Sequence, residues 1–229
     1  MKANIESIYD NYLNISTITE EGDDTKDNVD YNIYEVTSYP FLERLFQTFP
    51  FKEGDHLVDF GCGKGRVLFM ASKHSCAYVT GIENNEKRFD TLQNNVKLYQ
   101  QKHGAKTFFD LQNIDAQSAV INDTANKFFF FEPFQIKIYE QVMENILISL
   151  EKAPRKVTIF LYLPQENTLR YFDDIQGFNK EVYVDSTLYH NNESLVTMPY
   201  FAFYCNYSME DLVDSYFLFY LKTLYIFDF

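Results

Sequence analysis

From Val58 to Val67 the chain reads Val58-Asp59-Phe60-Gly61-Cys62-Gly63-Lys64-Gly65-Arg66-Val67, an apolar run that ends in an acid and then breaks into alternate glycines. The whole chain holds only 8 glycines in 229 residues, so this clustering marks a backbone requirement rather than composition. Glycine admits positive φ and carries no Cβ, which lets the main chain approach a ligand closely at a strand-to-helix turn. Spacing narrows the choice of ligand. A dinucleotide fingerprint, G-x-G-x-x-G, wants glycine where Arg66 stands, and a phosphate-binding G-x-x-x-x-G-K-[ST] loop occurs nowhere in the chain.

The length suits one large domain with a sizeable core. Lys plus Arg number 20 against 33 Asp plus Glu, a formal net charge of -13, and no basic stripe offsets it. Free nucleic acid is therefore a poor partner, while a small molecule or a basic protein remains open. The cysteines, Cys62, Cys76 and Cys205, have neither metal-ligand nor disulfide spacing, which points to a reducing cytoplasm. No secretory signal or membrane span is visible, and the four scattered histidines suggest no metal site.

Along the chain, residues 1–30 read as a short helix through Ile5, Ile8, Tyr9, Tyr12 and Leu13, followed by an acidic connector. The helix could close over a pocket as a flap. A helix with proline at its start covers Phe41 to Phe46, before Pro50. After the glycine loop come a helix from Arg66 to Ser72, a strand from Tyr78 to Ile82, a helix from Glu86 to Gln101, and a strand from Thr107 to Leu111 or Asn113. Phe128-Phe129-Phe130-Phe131 has the composition of a strand buried on both faces, as the centre of a parallel sheet requires. A helix over Gln135 to Lys152, a strand over Val157 to Leu163 and a helix over Asn167 to Ile175 follow. Two strand-like runs, Glu181 to Leu188 and Ser194 to Tyr204, flank the turn signal Asn191-Asn192. The organisation expected is thus 1–30 as helix and flap, 31–207 as the main domain, and 208–229 as an aromatic extension that packs on the domain or makes a homodimer contact.

The D-x-G-x-G-x-G run at Asp59 to Gly65 resembles the first motif of the class I S-adenosylmethionine-dependent methyltransferases. The resemblance covers about residues 34–207 in outline. It implies an α/β, Rossmann-like, seven-stranded and mostly parallel sheet with helices on both faces and an antiparallel last strand. It also implies S-adenosyl-L-methionine as cofactor, whose cationic amino acid end suits a nearby carboxylate. Asp59, Gly61, Cys62, Gly63 and Gly65 would hold that end. Tyr34-Glu35-x-Thr37 looks like the family's covering segment, with Tyr34 and Thr37 as cofactor neighbours.

Glu83, some twenty residues past the glycines at the end of the second strand, is placed to bind ribose hydroxyls, with Asn84 beside it. A plain acid opening a helix is the other reading. The resemblance gives Asp115 and Ala116 the adenine. Asp110 competes for that role, and an ordinary helix cap would also suit Asp115. Glu132, Pro133 and Phe134 fall where amine-methylating members carry Asp/Asn-Pro-Pro-Tyr/Phe, so they are expected at the acceptor end, Glu132 orienting an amine or taking its proton. The sequence departs there: Glu replaces Asp or Asn, and one proline is missing. The function expected is methyl transfer to an unidentified acceptor such as an amine nitrogen. An NAD(P)-dependent oxidoreductase and a non-catalytic cofactor-binding or scaffold protein stand as rivals.

Overall fold

The computed structural model describes residues 4–19, 30–184 and 200–206. The Asn191-Asn192 turn and the aromatic extension lie outside them.

Helix α1 (Ile5–Leu13) starts on Asn4, whose side chain accepts from the Glu6 amide, and ends on Asn14 in the left-handed region. Helix α2 (Tyr39–Thr48) is capped by Ser38, with Pro40 in its first turn where a missing N–H costs nothing. Strand β1 (His56–Phe60), helix α3 (Arg66–Lys73), strand β2 (Tyr78–Ile82), helix α4 (Glu86–His103) and strand β3 (Phe108–Gln112) then alternate. After a 3-10 turn at Ala116–Ser118 come β4 (Lys127–Phe130), α5 (Ile136–Lys152), β5 (Thr158–Tyr162), α6 (Glu166–Asp173), β6 (Asn179–Val184) and β7 (Tyr200–Cys205). The sheet order is β3-β2-β1-β4-β5-β7-β6. Strands β1 to β5 pair in parallel, and β7 runs antiparallel to both β5 and β6.

The phenylalanine run behaves as its composition predicts. Phe128, Phe129 and Phe130 are each 0% exposed, and side chains alternate across a strand, so both faces of β4 must be covered. Phe129 joins one core with Leu42, Leu68 and Leu92, under α2, α3 and α4. Phe128 and Phe130 join the other with Val142 and Phe172, under α5 and α6. Phe131 falls just past the strand and is only partly buried.

Polar groups at the far end of the sheet are matched within the interior. The His56 ring lies 2.8 Å from the Thr80 hydroxyl and 2.9 Å from that of Thr124, and Thr80 donates to Asp110. Burial holds His56 neutral, lowering its pKa from 6.5 to about 4. Between those values the unfolded chain takes up a proton that the native state refuses. Stability is therefore complete above pH 6.5 and falls as pH drops toward 4. The expected loss is on the order of 2 kcal/mol. Urea midpoints measured at pH 7 and pH 4.5 should converge by that amount in His56→Gln; an unchanged difference would assign the acid sensitivity elsewhere.

Candidate functional site

The sheet order reverses between β1 and β4, and in open α/β sheets ligands bind beyond the carboxyl ends of strands at such a point. A cavity lies there. Its floor is made by Asp59 and Gly61 from the end of β1, Glu83 and Asn84 from the end of β2, and Phe131 and Pro133 beyond β4. The continuous segment 31–37 forms one wall.

Two glycines are required by close approach. At Gly61, φ is 71° and an added Cβ would lie 2.6 Å from the Pro133 Cβ. At Gly63, φ is 54° and an added Cβ would lie 2.1 Å from the Tyr34 ring. Both conformations are strained for any residue with a side chain. Tyr34 is held over the loop by its hydroxyl, which donates to the Thr17 carbonyl at 3.1 Å.

The two strand-end acids share the cavity but differ in environment. Glu83 is bound on both oxygens: the Gly63 amide reaches one at 2.9 Å, and the Asn85 amide at 2.8 Å and Arg88 at 3.3 Å reach the other. It thus fixes the glycine loop to the start of α4. Asp59 is 3% exposed, and no hydrogen-bond donor among the described residues reaches it. Burial, and then the Glu83 charge, push its pKa well above the usual carboxylate range. A buried carboxylate without a donor is costly, and a cation in the cavity would relieve it. The donor-free acid and the Cβ-intolerant loop both fit the cationic end of S-adenosylmethionine; neither offers a pyrophosphate a partner.

Other expected site residues fall on both sides of the line. Tyr34, Thr37, Cys62, Asn84, Ala116 and Pro133 line the cavity. Gly63 and Gly65 shape it from behind, Gly65 by admitting Leu92 and Phe69 against the loop. The Asp115 carboxylate caps the 3-10 turn through the Gln117 amide at 2.9 Å, and Asp110 bonds Thr80 and Gln112 inside the sheet. Neither aspartate lines the cavity. Phe134 is 1% exposed in the α5-side core, packed edge-on to Tyr139. Glu132 does not line the cavity either. Its φ of 36° swings the carboxylate away, toward the start of α6, where it accepts from the Gln165 amide at 2.8 Å.

No family model matches the chain, and no curated protein matches its sequence. Solved structures do match. Precorrin-6y C5,15-methyltransferase from Geobacter metallireducens superposes with a TM-score of 0.54 at 16% identity, over 79% of this chain and 92% of that one. A SAM-dependent O-methyltransferase from Thermotoga maritima gives 0.56 at 13% identity, over 77% and 68%. Human methyltransferase 10 domain containing protein gives 0.57 at 9% identity, over 88% and 94%. The chain has the class I methyltransferase fold.

At these identities the class I methyltransferase fold is an architecture, and the chemistry rests on the cavity's own side chains. Several of these carried no signal in the sequence. Arg66, 3% exposed, donates to the Thr17 hydroxyl at 2.8 Å and to the Thr37 carbonyl at 3.0 Å, and pairs with Glu6. It ties residues 4–19 to the cavity wall. Within the expected flap segment, the described residues 4–19 form a strap against the glycine loop: none of them lines the cavity, and Asn95 holds them through Ser16 while bonding the Lys64 carbonyl at 3.0 Å. Asn32 joins the wall to the β4 tip, its amide donating to the Pro133 carbonyl at 3.0 Å.

Proposed function

We propose that this protein is an S-adenosylmethionine-dependent methyltransferase that transfers its methyl group to an amine nitrogen. The observation that carries the reading is the shared cavity of Asp59 and Glu83 at adjacent strand tips, above a loop that tolerates no Cβ. In this reading the cofactor, when bound, supplies a methyl group activated by a sulfonium.

The chain's own residues supply binding, alignment and a dry pocket. Asp59 attracts the cationic end, and the backbone from Gly61 to Gly65, with Cys62 between, gives it room. Tyr34 and Thr37 close the cavity over that end. Three donors crowd one Glu83 oxygen, whereas the other, among the described residues, takes only the Gly63 amide and keeps a lone pair for a ribose hydroxyl. Asn84 and Ala116 border the base, and Asp115 shapes that border through the turn it caps. Pro133 stands at the reacting end, supported by Glu132 and Phe134. The sheet reads as the seven-stranded form of the fold, with β6 and β7 closing it. Three buried cysteines, none of them in a disulfide, suit a cytoplasmic location. Among the described residues no helix is long and apolar enough to cross a membrane, and no His/Cys/Asp/Glu group could hold a metal.

Calorimetric titration with S-adenosylhomocysteine and, separately, with NADH tests the reading. The expected result is saturable binding of the first, at micromolar concentration, and none of the second. Binding of NADH alone would overturn it, and binding of S-adenosylhomocysteine without labelled-methyl transfer to any component of a cell extract would favour a non-catalytic role.

A further inference from the structure

The acceptor end is built differently from the amine-methylating pattern that the Glu132-Pro133-Phe134 run resembles. There a polar side chain and a proline carbonyl hold the target nitrogen. Here each of those groups already has a partner within the chain. The Glu132 carboxylate accepts from the Gln165 amide and, at 3.4 Å, from the Thr168 hydroxyl. The Glu132 carbonyl accepts from the Asn32 side chain at 2.6 Å, and the Pro133 carbonyl from the Asn32 amide at 3.0 Å. A bridge between Tyr31 and Phe134 zips the wall onto the β4 tip, so these partners are part of the fold.

The charges lining the cavity show what remains. Glu83 is matched by Arg88, and Arg66 by Glu6 on α1, with Asp10 4.0 Å away. Two carboxylates are left, at different depths. Asp59 is buried at the tip of β1, donor-free, and takes the cationic end of the cofactor. Glu35 is exposed on the wall, lines the same cavity, and has no cation or hydrogen-bond donor against it among the described residues. One acid inside and one at the rim leave the cavity mouth negative after the cofactor's charge has been met. The mouth of a dry pocket is also where an incoming group must shed its proton.

Building on the methyltransferase reading, we propose that Glu35, rather than Glu132, receives the acceptor, and that the acceptor is a protonated primary amine. The ammonium gives a proton to the Glu35 carboxylate. The freed nitrogen lone pair forms the N–C bond to the methyl carbon while the C–S bond breaks, its electron pair going to sulfur. A methylammonium and a neutral thioether result, and Glu35 returns its proton to water.

Sinefungin, in which an amine-bearing carbon replaces the sulfonium, presents an ammonium where the methyl group would be. Titrating S-adenosylhomocysteine and sinefungin into the wild-type protein, Glu35→Gln and Glu132→Gln separates the alternatives. The wild type should bind sinefungin roughly tenfold or more tightly than S-adenosylhomocysteine, the worth of one charge-assisted hydrogen bond. In Glu35→Gln that advantage should vanish while S-adenosylhomocysteine affinity stays within about twofold, because Glu35 is exposed and supports no packing. In Glu132→Gln it should persist. An advantage that survives in Glu35→Gln, or is lost in Glu132→Gln instead, overturns the assignment and leaves the cofactor reading standing. Failure of S-adenosylhomocysteine to bind the wild type sinks both.

Discussion

Glu83→Ala is expected to lose S-adenosylhomocysteine binding by about 100-fold and to lower stability by about 3 kcal/mol. The two losses share one cause. Glu83 is 4% exposed and accepts from the Gly63 amide, the Asn85 amide and the Arg88 guanidinium. Removing it takes the Glu83 countercharge from a buried arginine, whose side chain is 8% exposed, and the carboxylate acceptor from two amides at once. The Gly63 amide, beside those of Gly61 and Cys62 on the Ile82 carbonyl, also ties the glycine loop to the end of β2, so the cavity floor loosens as the proposed ribose partner disappears. Glu83→Gln separates the effects. It keeps one oxygen for an amide but cannot neutralise Arg88, so it should retain more of the stability than of the affinity. Urea unfolding and calorimetry on both variants check this. Affinity within threefold of wild type in Glu83→Ala would show that this carboxylate does not meet the ligand.

Asp10→Ala is the second large effect, at a site that touches no ligand. Asp10 is 6% exposed and accepts from the Thr17 amide at 2.7 Å, the Thr17 hydroxyl at 2.7 Å and the Tyr39 hydroxyl. Burial, with the Asp10 hydrogen bond next, pushes the Tyr39 phenol above its usual range. Arg66 lies over the Tyr39 ring at 4.2 Å, with one terminal nitrogen 4.0 Å from Asp10. That nitrogen already lacks a hydrogen-bond partner. Deleting Asp10 therefore leaves a buried guanidinium short of countercharge, at a cost of about 3–5 kcal/mol. Asp10→Asn keeps the acceptor oxygen and the shape, and should recover part of the loss. Urea midpoints at constant m-value decide the matter; a loss below about 1 kcal/mol in Asp10→Ala would mean that the strap is held by its other contacts, the bonds from Arg66, Tyr34 and Asn95 among them.

How much of this could be read from the chain depends on how local each feature is. The glycine loop, the phenylalanine strand and the acid at the end of β2 were legible because their causes lie within a few residues of one another. A Cβ-free turn follows an apolar run, three aromatic side chains must be covered on both sides, and Glu83 ends a strand. Asp115 and Glu132 were legible as strand-end acids but not in their direction. Asp115 turns back onto the Gln117 amide, and the positive φ of Glu132 aims its carboxylate at α6, 33 residues further on. Sequence offers no measure of which way a terminal side chain leaves a sheet.

The sequence by itself determined a strand-to-helix turn built for close approach and a central strand dry on both faces. Only the tertiary structure decided which charges meet. Arg66 finds Glu6, Asp10 and Thr17, Asn32 finds the β4 tip, and Asp59 is left with no donor among the described residues. The physical reason is range. Backbone conformation follows from near neighbours, whereas the partner of a buried charge is fixed by whatever the packed layers bring within hydrogen-bond distance.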